Sequence, residues 1–206
     1  MSAKALNAII ICGPSGVGKG TLLKRLLADY EKYFAYSVSH TTRKPRAGEE
    51  NGREYHFSDR DAVIKMRDAG EFLELCEVHG NFYGTSFAAI KRVQEEGKTC
   101  LVEIDVQGAQ KVKDAGPKQG LTASYLFITA PLEELQKRIV GRGADDEETV
   151  RVRLATATKE FDFVKRNPDF FDQVIVNDEL DKAYKNLVEA INTEFQKHDM
   201  APLPIL

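Results

Sequence analysis

The chain has 206 residues, 42% hydrophobic and 30% charged, with a formal net charge of −3 and a pI near 5.9. That size suits one compact unit with small subdomains, and the mild acidity argues against a partner gripped along a basic face, such as nucleic acid. No apolar run approaches the roughly 18 residues of a membrane span, so no membrane partner is expected. Cys12, Cys76 and Cys100 sit among apolar neighbours without a C-x-x-C pair, the pattern of reduced core thiols in a cytoplasmic protein. His40, His56, His79 and His198 have no metal-ligand spacing with them. The opening "MSAKALN" lacks an apolar h-region, so no secretory signal is expected.

The run "AIIIC" at 8–12 is the first of four short apolar stretches, followed by "CLVEI" at 100–104, "SYLFIT" at 124–129 and "QVIVN" at 173–177. Lacking polar alternation, they predict strands of a parallel sheet covered on both faces. Directly after the first comes "GPSGVGKGT", Gly13, Pro14, Ser15, Gly16, Val17, Gly18, Lys19, Gly20 and Thr21. It fits G-x-x-x-x-G-K-[ST] at Gly13, Gly18 and Lys19, but Gly20 stands where a hydroxyl is expected. Glycines let successive N–H groups converge, a helix N-terminus adds a positive dipole end, and Lys19 brings a mobile charge to the β and γ phosphates. The nine residues therefore predict a nucleoside triphosphate site. The wording "GKGT" is common in adenylate kinases and points to nucleoside monophosphate kinases, with Mg²⁺ held mainly by phosphates and water and Thr21 as a candidate contributor.

Leu22, Leu23, Leu26 and Leu27 form one apolar stripe on the following helix. From about 35 to 90, "YSVSHTTR", "REYHFS", "EFLELCEV" and "NFYGTS" predict short strands of an inserted, mostly antiparallel subdomain. Ser58 and Asp61 suggest a capping box before "AVIKMRDAG", and Ser86 a cap for "FAAIKRVQEE", which Gly97 ends. Pro131 is placed to open "PLEELQKRIV", with two further helices over 147–165 and 178–197. A second insertion, about 138–153, is rich in arginine, glycine and acid. The alternation of strand and helix predicts an α/β layered fold.

"SVSHTTRKPRAGEENGREYHF", with "GEFLE", "GNFYGTS", "LVEIDVQG", "RIVGRG" and "VRVRL", resembles guanylate kinase over essentially the whole chain. The resemblance implies a P-loop NTPase-type parallel sheet core flanked by helices (about 1–34, 91–137 and 154–206), a GMP-binding subdomain (about 35–90) and a small helical lid (about 138–153). It implies an enzyme that moves the γ-phosphoryl group of ATP to GMP, and to dGMP, with Mg²⁺. ATP and GMP would be its only partners and the chain a monomer. A kinase for another monophosphate, or a non-catalytic phosphopeptide-binding module of the same fold, are the alternatives.

Chemistry and resemblance together nominate the site. Arg43, Arg46 and Tyr55 suit a phosphate monoester, and Tyr83 joins them by the resemblance. Glu49 either holds one of these arginines or meets the ligand. Guanine offers two donors, N1–H and the 2-amino group, to a carboxylate, and O6 to a hydroxyl. Glu74 is the implied reader, Asp105 the second acceptor, Ser39 and Thr85 the hydroxyls. Glu103, two before Asp105, is either a structural acid or a holder of Mg²⁺-bound water. Lys19, Arg138, Arg142 and Arg153 are the catalytic cations. Arg151 reads as a surface pair with Glu147, and the acids at 145–148 as first-turn charges on a helix dipole.

Overall fold

A computed structural model describes residues 5–46, 48–53, 55–78, 80–141 and 146–205. Its centre is a parallel sheet of five strands: β1 (Ala8–Cys12), β2 (Phe34–Tyr36), β7 (Thr99–Glu103), β8 (Ala123–Thr129) and β9 (Gln173–Val176), in the order β2-β7-β1-β8-β9. All five residues of β1 are buried, and alternate side chains serve opposite faces. Ile9 and Ile11 pack into one apolar cluster with Leu22, Leu23 and Leu26 of α1 (Lys19–Asp29) and Leu187 and Ile191 of α7 (Leu180–Lys197). Ala8, Ile10 and Cys12 pack into the other, with Ile90 and Val93 of α3 (Phe87–Glu95) and Ala109 and Val112 of α4 (Val106–Ala115). Full coverage of both faces is why the strands read as unbroken apolar runs.

The second sheet runs β4 (His56–Phe57), β3 (His40–Thr41), β6 (Asn81–Ser86) and β5 (Phe72–Val78). The pairs β3–β6 and β5–β6 are antiparallel, and the short β3–β4 contact is parallel. Only His40 and Thr41 of "YSVSHTTR" belong to it. Phe34–Tyr36 instead pairs with Thr99–Leu101 and edges the main sheet, because Phe34 is 1% exposed and belongs to the main core.

Ser86 caps α3 by accepting the Ala89 N–H, and Gly97 follows that helix with φ +73°, both as expected. The Ser58–Asp61 capping box does not form. Ser58 donates its backbone N–H to Thr41 and its hydroxyl to the His56 carbonyl, so the second sheet holds it. Asp59 takes the N-cap position of α2 (Arg60–Asp68) without a side-chain bond. Pro131 sits just ahead of α5 (Leu132–Gly141), its carbonyl accepting from Leu135. Asp146 caps α6 (Glu147–Arg166) by accepting the Thr149 N–H at 2.8 Å, with Glu147 and Glu148 in the first turn. No helix among the described residues is long and apolar enough to cross a membrane.

Candidate nucleotide site

The glycine loop leaves β1 and enters α1. A Cβ on Gly13 (φ +145°) would run into the Ile128 carbonyl, and one on Gly18 (φ +97°) into the Asn177 amide. Both glycines thus serve positive φ and close packing together. The Asn177 amide and the Arg138 guanidinium both donate to the Val17 carbonyl, fixing the loop from outside at 2.7 and 3.3 Å. No side chain caps α1 and no acid lies in its first turn, so its leading N–H groups face the loop's mouth.

Lys19 is folded back on its own loop. Its ammonium donates to the carbonyls of Gly13 (2.6 Å) and Pro14 (3.2 Å) and stands 3.7 Å from Glu103. A cavity of about 690 Å³ opens in front of it, lined by Gly13, Ser15, Gly16, Gly18 to Thr21, Glu103 to Asp105, Thr156 and Glu160. Glu103 and Asp105 both face it, as their spacing predicts. Asp105 lies past the end of β7, where Oδ1 accepts the Gly108 N–H at 2.7 Å and caps α4. Gly20 has open space where a side chain would project.

The second group of residues gathers on the smaller sheet. Glu49 accepts two hydrogen bonds from the Arg43 guanidinium, at 2.9 and 3.0 Å, and one from the Arg46 backbone N–H at 2.7 Å. Glu49 thus holds Arg43 in place. The Arg46 backbone N–H is held by Glu49, and its side chain is exposed. The Arg43 guanidinium lies 5.5 Å from the Tyr55 ring centre, and the Tyr55 and Tyr83 rings meet edge to face at 6.1 Å.

Glu74 is 6% exposed and sits directly across β5–β6 from Thr85, whose N–H donates to Oε1 at 2.8 Å. A register shift between Phe72 and Glu74 turns that side chain, and Gly84 lets the two strands approach where any Cβ would strike Leu75. Burial pushes the Glu74 carboxyl above its ordinary value, while hydrogen bonds from Thr85 pull it back. Ser39 and Thr85 hydroxyls lie 3.3 Å apart. Asp105 is near enough to raise both Glu74 and Glu160, so it stands between the two groups.

Arg138 of α5 bonds the loop carbonyl as above and also Asp178, and Arg153 of α6 donates to the Ser15 hydroxyl at 3.1 Å. Arg142 lies outside the described residues. Arg151 is a surface pair, but its partner is Glu148 rather than Glu147, with bonds of 2.7 and 3.0 Å. Three residues apart suits the bidentate reach on this turn.

Sequence reasoning missed Glu160. It carries no motif, and only the packing of α6 over the loop brings it beside Lys19. Burial pushes its carboxyl up to about 7, with Lys19 opposing and Asp105 adding to the rise.

Known proteins bear on this geometry. The family model for guanylate kinase matches residues 5–194. "Guanylate kinase 1" of Oryza sativa subsp. japonica is 44% identical over 192 residues, covering 93% of this chain and 49% of the relative, so the chain spans about half of that protein. "Guanylate kinase" of Sus scrofa is 43% identical over 190 residues, covering 92% of this chain and 93% of the relative. The crystal structure of guanylate kinase from Anaplasma phagocytophilum superposes with a TM-score of 0.65 at 28% identity, covering 94% of this chain and 87% of that one. With the glycine loop, the Arg43–Glu49 clamp and the buried Glu74 found in one molecule, this chain belongs to the guanylate kinase family.

Proposed function

We infer that the protein transfers the γ-phosphoryl group of ATP to GMP, giving ADP and GDP, and accepts dGMP likewise. The observation that carries the reading is the pairing of two half-sites across Asp105. One is a phosphate loop with Lys19, the other a buried carboxylate, Glu74, beside two hydroxyls.

A phosphate oxygen of GMP attacks the γ-phosphorus, and the bond to the bridging oxygen of ADP breaks. That oxygen is already ionised near neutral pH, so no general base is needed, and the protein's task is alignment and positive charge. Arg43, fixed by Glu49, and Arg46, with Tyr55 and Tyr83, hold the acceptor phosphate. Glu74 accepts from guanine N1–H and the 2-amino group, with Asp105 as a further acceptor, and Ser39 or Thr85 donates to O6. Adenine would leave that carboxylate facing an acceptor, a loss of about 1–3 kcal/mol or more. Lys19 swings from the loop carbonyls to the β and γ phosphates. Arg138, Arg142 and Arg153 add charge from the lid and exclude water as a competing acceptor.

The donor set also suits Mg²⁺. Thr21 and Glu103 bring hard oxygens to the cavity, and no cluster of three metal-binding side chains stands among the described residues. A hydrated ion shared with the phosphates needs no such cage. Mg²⁺ bound there would neutralise charge on the phosphate oxygens, and Thr21 and Glu103 would hold its water.

A coupled assay of ATP turnover with GMP, dGMP, AMP and UMP tests the reading. Turnover with GMP and dGMP is expected; turnover with AMP but not GMP would overturn it.

A further inference from the structure

Among the described residues, one buried side-chain oxygen has no hydrogen-bond partner: Oε2 of Glu160. Glu160 stands two turns beyond Arg153 on α6, so both lie on one helix face with Thr156 between them. Arg153 reaches Ser15 in the glycine loop, while Thr156 and Glu160 line the cavity before Lys19.

The groups facing Glu160 leave it unsatisfied. Lys19 on α1 attracts it, but that ammonium is engaged by Gly13, Pro14 and Glu103. Asp105 at the head of α4 repels it, and the Cys12 thiol on β1 donates instead to the Asp105 carbonyl. Glu103 at the end of β7 is a further acid on the same cavity. A carboxylate whose buried oxygen is left orphaned is costly, and the acids on the same cavity, Asp105 and Glu103, offer it no donor. A phosphate chain entering the cavity brings more negative charge and more acceptors. An ionised Glu160 would meet it with repulsion, whereas a protonated one turns the orphan oxygen into a donor.

We propose that Glu160 is a further binding residue of the nucleotide cavity, present in the complex as the neutral acid and donating its O–H to a phosphate oxygen. Each Glu160 that is ionised beforehand takes one proton from solvent as the complex forms, and no covalent bond changes. The proposal rests on reading this cavity as the phosphate site. Burial already holds the Glu160 carboxyl up at about 7, so its ionised and neutral forms both exist near neutral pH.

The test is calorimetric titration with ADP in EDTA, at one pH near 7.5, in PIPES, imidazole and Tris, on the wild type, Glu160→Gln and Lys19→Ala. Wild-type binding heats should follow buffer ionisation in the sense of proton uptake. Glu160→Gln, which carries a permanent donor of similar shape, should lose that share. Repeated at pH values above about 7, the titrations should show the ratio of wild-type to Glu160→Gln Kd rising by up to about tenfold per pH unit. Equal proton linkage in the two proteins, or proton release by the wild type, overturns the role of Glu160. Absence of ADP binding, or wild-type affinity in Lys19→Ala, overturns the phosphate-site reading and the proposal with it. If Glu160→Gln does not fold, infrared difference spectra of the wild type decide. A protonated-carboxyl band gained on adding ADP supports the proposal, and no gain refutes it.

Discussion

At the scale of single residues, specificity rests on what a buried acceptor does when its partner is wrong. Glu74 is almost fully dry, and one of its oxygens already accepts from Thr85. On the proposed reading, Glu74→Gln keeps the shape but sets an amide donor against guanine's donors. The kcat/KM for GMP should fall about 5- to 160-fold, as about 1–3 kcal/mol dictates, while that for AMP does not fall. An unchanged GMP to AMP ratio in competing-substrate assays would show that Glu74 does not read the base. Lys19→Ala should abolish measurable turnover with GMP without unfolding the protein, because the side chain makes only hydrogen bonds to its own loop and a loose pair with Glu103. Both residues were named from the sequence, Lys19 by its glycine-loop motif and Glu74 by the resemblance. Glu160 was not. Its place beside Lys19 depends on how a 20-residue helix lies over the loop, and no local pattern records that.

Among elements, the short parallel contact between β3 and β4 carries its own pH-dependent contribution to stability. His40 and His56 face each other across it, ring centres 4.9 Å apart. Burial lowers both, His40 further by its neighbour and His56 further by Arg92. A lowered folded value means the unfolded chain binds protons first as pH falls. The contribution to stability is therefore complete above about 6.5 and declines as pH drops through that value toward the folded one. Melting temperature followed from pH 7.5 down to about 5 should fall less steeply in His56→Gln than in the wild type. Equal slopes would mean that His56 is not coupled to folding. At the head of α6, Asp146→Ala should cost about 1 kcal/mol, or about 2–4 °C in melting temperature, by removing the bond to the Thr149 N–H. Capping signals were only partly legible. Ser86 and its helix followed the rule, whereas Ser58 was captured by backbone pairing with Thr41, a contact made by residues far apart in sequence.

For the whole molecule, the apolar runs of β1, β7, β8 and β9 announced the parallel sheet because strands buried on both faces leave polar residues no place. The smaller sheet was harder to bound, because two-residue strands such as β3 and β4 owe their existence to their partners. Protection against hydrogen exchange should follow the same division. Amides of Ile9 to Ile11, paired on both sides and fully buried, should exchange slowest, and those around His40 and His56 fastest among the strands. The two half-sites then predict separable footprints. GMP alone should slow exchange around Ser39, Glu74 and Thr85, leaving the glycine loop largely unchanged, and ADP alone should slow residues 13–21 and the start of α6. The two ligands together should add protection over about 138–153, the segment proposed as a lid, beyond the sum of either alone. Additive footprints with no extra protection there would mean that the arginines of α5 and α6 are in place before substrates arrive, and that the contacts of Arg138 and Arg153 with the loop already represent the working arrangement.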